Sequence, residues 1–512
     1  MSSSPTSSSS SGAPSAASNN PTTVFVFGAS GDLAKKKTFP ALFALFRSNL
    51  LPTHTRIVGY ARSAMTPAEL RERLSKFIRT PTDQDKKTLD EFFKIISYVH
   101  GQYDSDEDVI KLAKAAAEVE KKCAQPSSDC ATDRVFYLAL PPSVFIPISQ
   151  QIKRHLTDNA GYKRLIVEKP FGKDLASSTE LADALAANFA ESEIYRIDHY
   201  LGKEMVKNLL ILRFANVFFG AVWNRQFINN VQITFKEPFG VEGRGGYFDE
   251  YGIIRDVMQN HLMQILAIVA MDRPVDLSAE AIRDEKVKVL KSIPHLTVHD
   301  VIVGQYTRSG DGKVVGYLEL DDVPKDSITP TFAQAVLHIK NERWDGVPFI
   351  LKCGKAMPDR KAEIRIQFQD VAGNIFPHDL ARNELVIRVQ PDEAVYIKLM
   401  NKKPGLSTET VISELDLSYK QRYGGDYIPD AYEALILDVL RGDHANFVRS
   451  DELDVAWRIF TPMLHELERA KHKPEPYEFG SRGPSSADEQ LKRHGGFTRH
   501  SQPYTWVPPA KH

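Results

Sequence analysis

A short apolar run that ends in glycines and opens into a basic helix constrains this chain more than any other feature. Residues 22–27 read TTVFVF, apolar and β-branched, short enough for a buried strand. They lead into Gly28-Ala29-Ser30-Gly31-Asp32-Leu33-Ala34, with glycines at the first and fourth places and a small residue at the seventh. Gly28 allows a tight turn, Gly31 lets backbone approach a pyrophosphate, and Ala34 lets the next helix pack close on the strand. That helix is expected from Lys35 to about Phe46, its amino terminus turned to a phosphate. Strand, glycine turn and helix in this order start a dinucleotide-binding, doubly wound sheet.

The next strand-like run, 56–60, is followed by Ala61-Arg62-Ser63. Folds of this kind that use NAD place a carboxylate near here for the ribose 2′-hydroxyl; a guanidinium pairs instead with a 2′-phosphate, so Arg62 points to NADP. Helices are expected at 67–77 and 107–121, with a linker between them. A strand at 134–140 stops at Pro141-Pro142, and another at 164–168 ends in Lys169-Pro170-Phe171-Gly172. A lysine at the carboxyl end of a parallel strand faces the ligand crevice. Strand–helix alternation through Asp198 makes residues 21–199 a Rossmann-like domain on a parallel sheet.

Beyond Lys203 the texture changes. Period-two runs recur at 231–236, 314–320, 333–339, 349–353, 363–368, 385–389, 395–400 and 413–417, and few helices separate the later ones. This pattern predicts a large, mainly antiparallel sheet. Helical periodicity interrupts it at 251–271, 430–441 and 452–470. Residues 200–512 are therefore expected to form an α+β domain, and an extended sheet with an exposed face predicts a homodimer or homotetramer.

A net charge of −1 argues against a nucleic-acid or membrane-surface partner that needs a broad basic field. No apolar run is long enough for a bilayer. Residues 1–20 are rich in Ser, Pro and Ala, with no basic residue and no apolar core, and read as a disordered tail rather than a targeting peptide. Three cysteines, Cys123, Cys130 and Cys353, make no CxxC pair and fit a reducing compartment, so the cytoplasm is the expected location.

The densest chemistry lies in Arg196-Ile197-Asp198-His199-Tyr200-Leu201-Gly202-Lys203-Glu204, between a strand-like run at 193–195 and an amphipathic stretch at 205–214. Spacing alone also fits a solvated charged turn. The string resembles the signature of the glucose-6-phosphate dehydrogenases, whose other marks follow in order from Gly28 to Trp506. The Glu168-Lys169-Pro170 element is also similar to that of sugar oxidoreductases such as glucose–fructose oxidoreductase. That leaves another sugar dehydrogenase, or a non-catalytic NADP-binding protein, as alternatives. A neutral sugar does not need the cationic set of 198–203 and Lys355.

The family resemblance implies oxidation of the C1 hydroxyl of glucose 6-phosphate by NADP to 6-phosphogluconolactone, the first step of the oxidative pentose phosphate pathway. It gives the cofactor Gly28 through Lys35, Arg62, Phe145 and Lys169, with Pro170 hinge-like and a candidate for a cis bond. It gives the phosphate His199, Tyr200 and Lys203, and the sugar Lys169, Glu237, Asp256, Lys355, Arg360 and Gln390. It names His261 as the base. From pattern alone His261, on a stripe with Ile254, Met258 and Ile265, reads as a core histidine. Asp256 lies five positions away, about 140° round an α-helix, and does not stack on it. The orienting carboxylate must come from elsewhere, and the resemblance supplies Asp198. No metal is expected, because the cofactor accepts the hydride and no Cys/His cluster has ligand spacing.

The resemblance further implies a second, structural NADP held by Lys352, Lys361, Arg365, Arg388, Tyr396, Lys398, Asp416, Arg482 and Trp506. Alternation puts Lys361, Glu363 and Arg365 on one sheet face. Lys352 stands where some members of the family carry Arg, and the segment before Tyr504 does not align cleanly with them.

Overall fold

The computed structural model describes residues 20–121, 132–158 and 160–496. The expected tail at 1–20, save Asn20, lies outside the described residues, as do Cys123, Cys130, Tyr504 and Trp506. The chain forms two compact units that cut across the expected division at residues 199 and 200. The first takes the described part of Met1–Gly220 with Gln259–His295 and Tyr423–Pro462; the second takes the remainder.

The first unit is built on a six-stranded sheet of β1 (Thr22–Phe27), β2 (Arg56–Ala61), β3 (Ile96–His100), β4 (Thr132–Leu138), β5 (Ala160–Glu168) and β6 (Ile194–Ile197). Its order is β3-β2-β1-β4-β5-β6, parallel throughout. The order reverses at β1, so the crevice at its carboxyl end is where such sheets bind ligands. Every residue of β1 is buried, which is why its sequence is apolar without alternation. β3 and the helix Asp83–Lys94 occupy the expected linker. That helix is mostly charged and buries little, but Thr82 and Asp85 close a reciprocal capping box at its start.

After the glycine turn the helix begins at Asp32 and passes through a π-helical segment, Ala34–Thr38, before Phe39–Arg47 continues as α. Pro40 has no N–H for the α-helical bond back to residue 36, and a wider turn around it accommodates the loss. The helix Ala431–Arg441, late in the chain, belongs to this unit. Its Tyr432, Leu435, Ile436 and Val439 pack with Val24, Val26, Tyr137, Ile166 and Ile197 in one apolar cluster. Arg164 fastens the end of that helix, donating to the carbonyls of Val439 and Leu440 at 2.6 and 2.9 Å.

The second unit carries a nine-stranded sheet: β7 (Ile228–Lys236), β8 (Val301–Ser309), β9 (Phe332–His338), β10 (Pro348–Gly354), β11 (Lys361–Phe368), β12 (Glu384–Gln390), β13 (Ala394–Lys402), β14 (Thr410–Ser418) and β15 (Glu475–Phe479). The order is β14-β13-β12-β11-β7-β10-β9-β8-β15, parallel at β7–β10 and β8–β15 and antiparallel elsewhere. The strand expected at 314–320 is absent. β8 pairs with β9 over Val301–Gly304 and with β15 over Gly304–Ser309, and the segment instead makes a 3₁₀ turn, Tyr317–Glu319. Tyr317 is buried there, and its hydroxyl donates to Asp249 at 2.7 Å.

The single helix expected at 251–271 is three pieces. An α-helix, Gly245–Ile253, kinks at Gly252 (φ 69°); a π-helix follows at Ile254–Leu262 and an α-helix at Met263–Ala270. A π turn bonds each residue to the fifth one on. The five-residue spacing of Asp256 and His261 thus spans one π hydrogen bond, and the α-helical angle expected between them does not apply.

Candidate active site

The turn after β1 is closed by backbone. Gly28 has φ 79°, and a Cβ there would lie 2.2 Å from the carbonyl oxygen of Ala139, so no other residue fits without moving main chain. The N–H of Gly31 donates to the Gly28 carbonyl at 2.8 Å. Ala29 and Ala34 are buried and Leu33 packs on the core. Asp32 is exposed and ion-paired to Lys35 and Lys36 at 2.6 and 2.7 Å, and those two hydrogen bonds hold its carboxyl at about 2.

Arg62 follows β2 on the surface, its guanidinium 5.7 Å from the centre of the Tyr103 ring. Ser30 and Ser63 hydroxyls approach to 3.3 Å beside it, and Tyr98 donates to the Ser63 carbonyl at 2.6 Å. Sequence reasoning missed Ser63 and Tyr98, although Ser63 adjoins Arg62. Phe145, at the head of the helix Phe145–His155, is 0 % exposed.

The centre of the first unit lies where β5 and β6 end. Glu168 pairs with Ile197 in register, so Lys169 and Asp198 leave neighbouring strands side by side. The Lys169–Pro170 peptide is cis. Asp198 and His261 are each 2 % exposed, and Asp198 Oδ1 lies 2.5 Å from His261 Nδ1 while also accepting the Tyr200 N–H at 3.0 Å. Burial works against the Asp198 charge, but His261 outweighs it and holds the carboxyl below its ordinary value. An ionised carboxylate only accepts, so Nδ1 carries the hydrogen and the Nε2 lone pair is left to take a proton.

His199 and Tyr200 rings stand 4.7 and 4.6 Å from the His261 ring. Burial, helped by His261, drives His199 well below its ordinary value and favours its neutral form. Lys203 opens the helix Glu204–Phe214. Asp198, His199 and His261 offer ligand atoms within 4.8 Å of one another, the one group of cation-ligand spacing found among the described residues. The 2.5 Å bond between Asp198 and His261 joins two of those three directly.

In the second unit, Glu237 follows the end of β7, Lys355 follows β10, Arg360 precedes β11 and Gln390 closes β12. Because β7 and β10 run parallel and β11 opposes them, these ends coincide at one edge of the sheet. Lys355 pairs with Glu237 and lies 4.0 Å from Asp256. Arg360 is exposed.

The second cationic set also gathers. Register places Lys352 opposite Thr234, Thr234 opposite Glu363 and Glu363 opposite Arg388; Lys361 faces Lys236 and Arg365 faces Gln232. Tyr396 faces Val386 and Asp416, and Lys398 faces Glu384. By alternation all of these lie on one sheet face. Arg365 pairs with Glu363 and Glu384, Lys398 lies 3.5 Å from Glu384, and Arg388 lies 5.8 Å from the Tyr396 ring. Burial lowers Lys352 to about 8, with Lys236 and Arg482 adding repulsion. Lys236, missed in the sequence, shares Asp359 with Lys361. Its place in the alternation of β7 was the available signal.

A parallel dinucleotide-type sheet, with a carboxylate at a strand end held against a buried imidazole, is the arrangement of a nucleotide-linked dehydrogenase. Comparison with known proteins narrows this. Residues 25–208 match the family description "Glucose-6-phosphate dehydrogenase, NAD binding domain", and residues 210–506 match "Glucose-6-phosphate dehydrogenase, C-terminal domain". The chain is 58% identical to glucose-6-phosphate 1-dehydrogenase of Emericella nidulans over 95% of its own length and 94% of the relative's. It is 55% identical to "Glucose-6-phosphate 1-dehydrogenase 5, cytoplasmic" of Arabidopsis thaliana, over 95% and 93% of the two chains. A solved glucose-6-phosphate dehydrogenase in complex with its substrate glucose-6-phosphate superposes with a TM-score of 0.89 at 51% identity, covering 94% of this chain and 99% of that one. This chain belongs to the glucose-6-phosphate dehydrogenase family.

Proposed function

We propose that this protein is an NADP-dependent glucose-6-phosphate 1-dehydrogenase, opening the oxidative branch of the pentose phosphate pathway. The observation that carries the chemistry is the buried 2.5 Å contact between Asp198 and His261. Bound NADP supplies the hydride acceptor for C1 of the sugar. His261 Nε2 takes the C1 hydroxyl proton, and the Asp198 carboxylate holds the ring and stabilises the imidazolium that forms. Lys203 gives the substrate phosphate a positive partner, with His199 and Tyr200 as neutral donors. Lys169 serves substrate and cofactor, and Glu237, Asp256, Lys355, Arg360 and Gln390 serve the sugar. Gly28 to Lys35 receive the pyrophosphate and Arg62 the 2′-phosphate, with Phe145 beside the cofactor.

A second NADP on the cationic face of the large sheet is supported by the gathering of Lys352, Lys361, Arg365, Arg388, Tyr396 and Lys398, with Arg482 nearby. A homodimer or tetramer is supported by β14, an edge strand with Leu415 64 % exposed. No described helix is long and apolar enough to cross a membrane, and a relative named as cytoplasmic supports that location.

The test is NADPH formation with glucose 6-phosphate, with glucose, and with no sugar. Only the phosphorylated sugar is expected to give turnover, and His261→Asn is expected to cut kcat at least ~100-fold with substrate binding kept. Equal rates with glucose, or near-normal turnover in the variant, overturn the assignment.

A further inference from the structure

One buried acid at the strand ends has no part in the chemistry above. Glu168, the last residue of β5, is 5 % exposed and directly precedes Lys169. The alternation of β5 sends its side chain to the same face as Ile166, which packs in the apolar cluster with Tyr137, Ile197 and Tyr432. Its recorded partner is the Tyr137 hydroxyl, which donates to Oε1 at 2.5 Å; among the described residues no Lys, Arg or His forms an ion pair with it. A carboxyl in such a place is costly to ionise.

The charged and titratable groups around it can be named element by element. Tyr137 comes from β4, Lys169 from the end of its own strand, Asp198 from the turn after β6, and Tyr432 from the helix Ala431–Arg441. Tyr432 in turn lies parallel to the His199 ring at 6.0 Å, and His199 stands edge-on to His261. Register puts Glu168 directly opposite Ile197, one residue before Asp198. The acid therefore sits one layer behind the proton-transfer pair, coupled to it by charge.

We propose that Glu168 is a positioning residue for the proton-transfer step, its buried carboxyl acting through Asp198 and Lys169 to set the charge against which His261 accepts the substrate proton. Burial pushes this carboxyl up to about 7, the Tyr137 hydrogen bond and Lys169 working against the shift and Asp198 adding to it. Below that range Glu168 is neutral. Above it, a second negative charge stands behind Asp198, favours the imidazolium and makes His261 the stronger base. Glu168 exchanges no proton with the substrate. The inference rests on the dehydrogenase reading of this site.

The experiment is the pH profile of kcat for wild type, Glu168→Gln and Tyr137→Phe, with KM for glucose 6-phosphate followed throughout. Wild type is expected to show an inflection near pH 7 with higher turnover on the alkaline side. Glu168→Gln keeps the shape and an acceptor for Tyr137; it is expected to lose that inflection and to run roughly 3- to 10-fold slower at alkaline pH, with KM within about 2-fold. Tyr137→Phe removes a hydrogen bond that favours the ionised form, so the inflection is expected to move to higher pH. An unchanged profile in Glu168→Gln, or equal loss at every pH, overturns the proposal. If Glu168→Gln does not fold, Tyr137→Phe decides, and an unmoved inflection there overturns it. A wild-type chain with no sugar-phosphate-dependent NADPH formation would instead sink the dehydrogenase reading itself.

Discussion

Replacing Asp198 with Asn isolates the charge in the buried pair. Asp198 Oδ1 already accepts from both His261 and the Tyr200 N–H, so the amide oxygen of Asn can keep both bonds. What it loses is the negative charge opposite the imidazolium. Two unit charges about 4 Å apart at an effective dielectric near 20 attract by about 4 kcal/mol. A neutral hydrogen bond retains about 1 kcal/mol. The difference, about 3 kcal/mol, is realised only as His261 becomes charged, and corresponds to a fall in kcat of roughly 10²-fold. The new amide N–H groups would stand where Oδ2 is buried with no hydrogen-bond partner, adding a folding cost of about 1–3 kcal/mol. Steady-state NADPH formation is expected to show the loss in kcat with KM for glucose 6-phosphate within about 3-fold. The double variant with His261→Asn is expected to be no slower than His261→Asn alone, because the two groups act as a unit. An Asp198→Asn enzyme above one-tenth of wild-type kcat, or losses that multiply in the double variant, would refute this reasoning.

Arg62→Ala is expected to raise KM for NADP by roughly 10-fold and leave NAD use almost unchanged, read from initial rates with each cofactor; equal loss with both would make Arg62 structural. NADP is expected to raise the melting temperature even in Gly31→Trp, by mass action at the second face, and Arg388→Glu with Lys361→Glu is expected to abolish that residual shift while sparing initial rates. Absence of any shift in Gly31→Trp removes the second site. Lys286 and Glu452 are 1 % and 0 % exposed and 2.7 Å apart, though off the hydrogen-bond axis. Lys286→Met strands a buried carboxylate and is expected to cost about 3–5 kcal/mol in denaturant titration, much of it recovered by adding Glu452→Leu.

The sequence carried the parts of the fold whose physics is local. A fully buried strand ending in glycine, and the period-two runs of β9 to β14, announce themselves in composition and alternation. The misses are positions where tertiary context won. Residues 314–320 alternate as a strand does, yet they make a 3₁₀ turn in which Tyr317 is buried against Asp249. The helix Asp83–Lys94 hides its start in a capping box rather than an apolar stripe. The π-helical stretch Ile254–Leu262 changes the angular arithmetic that an α-helix imposes on Asp256 and His261. At the site, residue types indicated the base and its partner only through family resemblance. No spacing rule links residue 198 to residue 261; the fold links them. Glu168 and Tyr137 were invisible for the same reason, since neither is unusual until adjacent strands bring them together.

The helix Ala431–Arg441 bears on how the chain is made. Its apolar side closes the core of the first unit, but it leaves the ribosome after Ala221–Met258 and Leu296–Arg422 of the second unit have been synthesised. A nascent chain carrying all six parallel strands still lacks the lid over Val24, Tyr137 and Ile166. Until residues past 440 emerge, the part of that sheet face covered by this helix stays open to water and to other sticky surfaces, the state in which large proteins aggregate. Truncations that remove the helix Ala431–Arg441 should therefore behave as lesions of the nucleotide-type domain encoded first.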